Sequence, residues 1–255
     1  RFPIPVGNAI GGGLHSHVPL HPEFQEFLII PKGNRFSENV LIMEHFYSQL
    51  QNNLNATYKN DEGAWETSLS NEDILLHLVE FKDSISIGLD IAASSFYKDD
   101  KYYYKDKILL KDEQIDYINF LMNTFKIFYC EDPLDEEDFE GFSKLNKKNN
   151  LIVGDDLTVT HLDRLKTAIR KKSINAMIIK PNQNGSLIEV KQIIDLCKKN
   201  KIKTIFSHRS GETMDTAIAD YAFGFQTDFI KTGIATPWRR AKLQRLIDIE
   251  TSLRK

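Results

Sequence analysis

Six apolar, β-branched stretches (SISIGLDIA, FKIFYCED, NNLIVGDDL, INAMIIK, IKTIFSH and TDFIK) end on or beside a polar residue: Asp90, Glu131, Asp155, Lys180, His208 and Lys231. Successive numbers differ by 41, 24, 25, 28 and 23. The last four intervals fit one strand plus one helix, a unit of roughly 30 residues or slightly fewer. Between the strands, HLDRLKTAIRKK and SLIEVKQIIDLCKKN return apolar residues every three to four positions and gather Lys and Arg at their C-terminal ends. That is the pattern of helices packed on a sheet. Such repetition in a chain of 255 residues predicts an α/β fold, a TIM-like (β/α)8 barrel, in which functional groups sit at the C-terminal ends of the strands. The six strand-end residues then share one mouth.

The N-terminal part is irregular by comparison. PEFQEFLIIPKG reads as a strand, SENVLIMEHFYSQLQNNL as an amphipathic helix, and YKNDEGAWETSLSNEDILLHLVEF as an acidic loop entering a second helix capped by Asn71 or Ser70. RFPIP reads as a Pro-rich turn. GNAIGGG reads as a loop rather than a dinucleotide fingerprint, because no strand of suitable length precedes it and HSHVPLHP cannot open a helix. No linker or composition break divides the chain, so residues 1–255 form one predicted domain. At 41% hydrophobic and 27% charged residues the chain can bury a full core. A net charge of -3 with both signs interspersed points away from nucleic acid and anionic lipid. Cys130 and Cys197, one in a strand and one in a helix, read as plain buried thiols in a reducing compartment. Without a membrane-length apolar run or a signal-peptide pattern, a cytoplasmic enzyme is expected.

Three carboxylates at one mouth, Asp90, Glu131 and Asp155, repel by ~4 kcal/mol per close pair at an effective dielectric near 20. Unless each merely caps the next helix, a cation relieves that repulsion, and an all-oxygen set suits Mg2+ better than Zn2+. Lys180 and Lys231 end two further strands. A lysine acting as a base at neutral pH needs its pKa depressed by about three units, through burial and neighbouring cations; otherwise the pair simply neutralises the acids. His208, Arg209 and Ser210, ahead of a helix, form a donor set for phosphate or carboxylate. A small phosphorylated acid is the economical ligand.

Several segments make a more specific resemblance: FQEF at 24–27, NDEG at 60–63, LDIAASSFY at 89–97, EDP at 131–133, VGDDLTVT at 153–160, IKPNQNG at 179–185, SHRSGETMDT at 207–216 and IKTG at 230–233. In order and near-spacing they resemble the motifs of enolase across nearly the whole chain. The resemblance implies a barrel of the enolase type and Mg2+-dependent dehydration of 2-phospho-D-glycerate to phosphoenolpyruvate. It assigns Asp90, Glu131 and Asp155 to the first of two Mg2+ ions, and Lys180 to removal of the C2 proton. It makes Glu62, with Glu26 beside it, the general acid at the 3-hydroxyl. Lys231 is implied to bind the substrate carboxylate, Arg209 and Ser210 the phosphate, with His208 and Gln25 lining the site. Two histidines compete for the family's loop position: His15 follows the glycines, and counting back from Gln25 favours His17 as the substrate-binding one.

The chain departs from the family pattern at Asn60 and Ala64, which replace glycines around Glu62, at Ser95 and Asn184, and in the short tail TPWRRAK. Family members also carry an N-terminal capping domain that is absent from this sequence. Three expectations follow: an enzyme working without that cap, half of a split enzyme paired with a separate cap domain, or a non-catalytic binding or scaffold protein. A homodimer is expected from the resemblance alone. His15-Ser16-His17 also resembles the His-x-His metal motif of barrel amidohydrolases, but that reading requires further strand-end histidines, and only His208 is one.

Overall fold

The computed structural model describes residues 1–54 and 56–253. Among them, eight strands close into a barrel: β1 (Ile4–Gly11), β2 (Glu26–Pro31), β3 (Ile85–Asp90), β4 (Ile127–Glu131), β5 (Leu151–Gly154), β6 (Ala176–Ile179), β7 (Lys203–Ser207) and β8 (Phe229–Lys231). Closure comes from β8 pairing with β1, Phe229 opposite Ile4 and Lys231 opposite Val6. Helices surround them: α1 (Phe36–Leu54), α2 (Asn71–Val79), α3 (Lys111–Thr124), α4 (Phe139–Lys144), α5 (Leu162–Lys171), α6 (Leu187–Lys199), α7 (Ala217–Gly224) and α8 (Pro237–Ser252). From β3 onward, strand and helix alternate as the spacing predicts. The irregular start is structural too: β2 runs antiparallel to both neighbours, β1 and β3, and two helices follow it in succession.

Two details differ from the sequence reading. The segment read as a turn and a glycine loop is the eight-residue strand β1. Pro5 is tolerated because the ladder with β2 begins only at Gly7, so on that side no hydrogen bond is lost to the missing N–H. The long interval from Asp90 to Glu131 holds a three-stranded antiparallel sheet over residues 97–98, 101–103 and 108–110, inserted before α3. Ser70, rather than Asn71, caps α2, its side chain accepting from Asp73 N at 3.2 Å.

The two-residue period of a strand sorts the core into layers. Val6, Leu28, Ile30, Tyr129, Val153, Ala176, Ile178, Ile205 and Phe229 form one cluster, the barrel interior. Their chain neighbours Ile29, Cys130, Ile152, Met177, Ile179, Phe206 and Ile230 join the larger cluster that packs against the helices. Gly88 faces inward because a Cβ there would lie 3.0 Å from the Cβ of Leu28 and 3.3 Å from that of Tyr129. Cys130 and Cys197 are both buried and free. Fully burying such aliphatic side chains is worth about 1.5–3 kcal/mol each, and this apolar floor fixes the heights of the polar residues two positions further along each strand.

Candidate active site

Two residues beyond the apolar floor, the same inward line turns polar. Asn8 follows Val6, Asp90 follows Gly88, Glu131 follows Tyr129, Asp155 follows Val153, Lys180 follows Ile178 and Lys231 follows Phe229, while Glu26 precedes Leu28 on the reversed strand. A cavity of about 200 Å3 opens above them. Six acidic side chains, Glu26, Glu62, Asp90, Asp132, Asp155 and Asp156, line it with only three basic ones, Lys180, Arg209 and Lys231. Gln25, His208 and Ser210 complete the sequence-predicted residues at its wall. Glu131 lies beneath the surface, fully buried, and accepts from the Tyr129 hydroxyl at 2.6 Å.

Lys231 sits among the carboxylates instead of at the rim. Its Nζ is 2.7 Å from Asp90, 3.0 Å from Glu131 and 3.1 Å from Glu26. Burial alone would release its proton, but the charges of Asp90, Glu131 and Glu26 prevail and hold it well above the ordinary lysine value. Lys180 pairs directly with Asp155. Its pKa also lies above the ordinary value: burial acts downward, and the Asp155 charge and hydrogen bond, with Glu131, outweigh it. The depression expected of a lysine base is therefore not found, because its nearest neighbour is an anion.

The acid pair divides in the opposite sense. Burial raises Glu26 well above the usual carboxylate range, and the charges of Glu62 and Asp90 add to that. Glu62 is pulled below the range: burial acts upward but is overcome by the hydrogen bond with Glu26, the charges of Arg239 and Lys231, and an Asn8 amide donating to Oε2 at 3.0 Å. Opposite shifts of this kind are what two closely set, interacting carboxyls give. The Glu62 loop is organised by Asn60, whose Oδ1 accepts from Glu62 N at 3.1 Å and Ala64 N at 3.0 Å. Gly63 turns there at φ +80, where a Cβ would meet Thr236 Cγ2 at 2.7 Å. Thus Asn60 does with its side chain what the expected glycine would have left to the backbone.

His15 lines the cavity, and His17 does not. The His17 side chain is 66% exposed, 3.6 Å from Asp61, with its backbone N–H bonded to Glu66. Counting back from Gln25 favoured His17, which lies outside this cavity; the loop from Gly13 to Glu23 is irregular, with a short 3-10 turn at Gly13–His15, and carries no period that orients side chains. Four residues escaped the sequence reading. Asn8 was hidden by the missed β1. Asp132 and Asp156 stand inside quoted motifs, and the Asp132 carboxylate accepts from Asp155 N at 3.0 Å and Asp156 N at 2.6 Å, fixing the turn that presents Asp155. Burial raises Asp132, and it lifts Asp156 to about 6 with the help of the Asp155 charge. Arg239, fully buried on α8, touches both His208 and Ser210 O. A charged residue at a helix start gives no signal of facing inward.

The donor chemistry fits a hard divalent cation. Asp90, Glu131 and Asp155 offer only carboxylate oxygens, and Asp155 Oδ1 is buried without a hydrogen-bond partner. Asp155 also belongs with Asp132 and Asp156 to a group whose ligand atoms lie within 4.8 Å of one another. No helix among the described residues is long and apolar enough to cross a membrane.

Residues 1–255 match the family described as "Enolase, C-terminal TIM barrel domain". Similar curated proteins include the enolase of Sulfurisphaera tokodaii, 41% identical over 98% of this chain and 64% of that protein. The enolase of Methanosphaera stadtmanae is 40% identical over 99% of this chain and 66% of its own length, and that of Methanocaldococcus jannaschii 40% over 99% and 63%. The chain spans just under two thirds of the length of these relatives. With a family match along its whole length and relatives this similar, the chain belongs to the enolase family.

Proposed function

We propose that the barrel removes water from 2-phospho-D-glycerate to give phosphoenolpyruvate, the step its relatives' name denotes. The observation that carries this reading is one small cavity lined by Lys180, the closely set Glu26 and Glu62, Asp90, Asp155 and an Arg209–Ser210 rim, with Glu131 buried just beneath. Lys180 takes the proton from the carbon next to the substrate carboxylate. The Glu26–Glu62 pair holds a proton for the departing hydroxyl, so that the C–H and C–O bonds break, a C=C bond forms and water leaves. Arg209 and Ser210 hold the phosphate at the rim, with His208 and Gln25 beside them. Lys231 answers the substrate carboxylate while keeping its own acids neutralised. Asp90, Glu131 and Asp155 would hold Mg2+, with a second ion expected from the family, and the metal would supply positive charge where the substrate carboxylate gains electrons.

For Lys180 to act as a base its ion pair with Asp155 must give way. The reading extends to a glycolytic and gluconeogenic role, a cytoplasmic setting and a homodimer, as expected of the family. The test is Mg2+-dependent formation of phosphoenolpyruvate from 2-phosphoglycerate, run beside Lys180→Ala and EDTA. Turnover abolished by both controls supports the assignment. Binding of Mg2+ and substrate without turnover is the outcome expected of a binding protein or of a barrel that needs a separate cap domain.

A further inference from the structure

The first two turns of α8 send two cations inward. Arg239 is 0% and Lys242 1% exposed, and neither contacts the carboxylate triad. Lys242 Nζ reaches Thr213 O at 2.6 Å and Glu212 at 2.8 Å. Arg239 Nη2 reaches Ser210 O at 3.2 Å and lies 3.7 Å from Glu62 Oε1, and its Nη1 bonds His208 Nδ1. The same Nη1 is 3.5 Å from Nε2, so Nδ1 is the ring atom engaged. The path is built for this side chain: Gly233 turns at φ +73, and a Cβ there would stand 2.5 Å from Arg239 Cδ.

A guanidinium has five donors and no acceptor. The ring nitrogen it contacts must therefore present a lone pair, and a neutral imidazole then carries its hydrogen on the other nitrogen. The carboxyls facing this ring are Glu26 and Glu62, whose oxygens lie within 4.8 Å of its nitrogen and of each other. We infer that Arg239 is a positioning residue that fixes His208 as a neutral, Nε2–H donor in the cavity wall and ties that ring to Glu62 and to the Ser210 loop. Its bearing on catalysis rests on the dehydration reading above; the state of the ring does not.

The experiment reads the ring directly. In the intact protein with Mg2+ bound, long-range 1H–15N spectra at pH 7 are expected to show His208 with Nε2 protonated and Nδ1 bare. An imidazolium, or a hydrogen on Nδ1, would overturn the inference whatever the activity. Arg239→Met is expected to remove the preference for Nε2–H, while Arg240→Ala, at an exposed neighbour paired with Glu44, leaves it intact. Arg239→Lys keeps the charge but loses the fork, and is expected to lower kcat roughly 10- to 100-fold, the range typical of outer partners that orient an active group, with KM changed far less. If Arg239→Lys matches wild type in kcat and ring spectrum, the positioning role is wrong. If wild type shows the expected ring but no phosphoenolpyruvate forms, dehydration by this chain alone fails and the ring assignment stands.

Discussion

At the scale of single residues, the site is a problem of too much negative charge solved by placement. Lys231 is the only described base in direct contact with Asp90, Glu131 and Glu26, so Lys231→Met leaves buried acids unpaired. In EDTA the variant is expected to lose about 3–5 kcal/mol of stability, read by urea unfolding, and an unchanged midpoint would show that the acids take up protons instead. Glu26 gives a prediction of opposite sign. Its folded pKa is raised, so ionising it opposes folding, and the penalty grows as pH rises from the unfolded carboxylate value through the folded one. Glu26→Gln cannot ionise; its stability relative to wild type should improve as pH rises through that window, while kcat falls. A gap that stays constant with pH would refute the raised pKa.

At the scale of elements, the barrel is closed by strand ends more than by helices. Asp228, just before β8, accepts from Thr204 N at 3.0 Å and from Lys203 at 2.9 Å through its carboxylate, and its backbone carbonyl accepts from Ile4 N at 2.9 Å. One residue thus joins β7, β8 and β1 at the seam. Its pKa is lowered: burial acts upward, and the Lys203 and Thr204 hydrogen bonds prevail. A depressed carboxylate adds stability that is present above the unfolded pKa of about 3.9 and is lost as pH falls through the folded value. Asp228→Asn should lower stability at neutral pH and flatten the acid limb of the curve below about pH 4, checked by thermal melts across pH. A similar economy governs α8, where one helical turn carries both Arg239 and Lys242 into the 208–213 loop. Hydrogen exchange in that loop is expected to quicken in Lys242→Met.

At the scale of the whole molecule, the apolar floor and the acidic mouth pull in different directions. The floor is closed on all sides by paired strands, whereas the mouth gathers like charges. Mg2+ bound only by the folded barrel stabilises it by mass action, about 2.7 kcal/mol at a hundredfold excess over Kd. Melting temperature should therefore climb with Mg2+ and fall back with EDTA, and in Asp155→Asn the response should shrink. A melting temperature indifferent to Mg2+ at millimolar concentration would remove the carboxylate triad as its site.

What the sequence determined by itself was whatever depends on local period and spacing. Intervals of 24, 25, 28 and 23 residues yield βα units because a strand and its return helix need about that length of chain, and strand-end residues meet because parallel strands share a direction. Asp90, Glu131, Asp155, Lys180, His208 and Lys231 were legible for that reason. Tertiary structure decided what local pattern cannot carry. It made β1 a strand despite Pro5, because a barrel seam supplied partners. It turned His15 rather than His17 to the cavity, and it brought Asn8 and Arg239 to Glu62 across 54 and 177 positions of sequence. It also set the ionisation of Lys180 and Glu26, since a pKa follows from the charges nearest in space, which chain order does not specify.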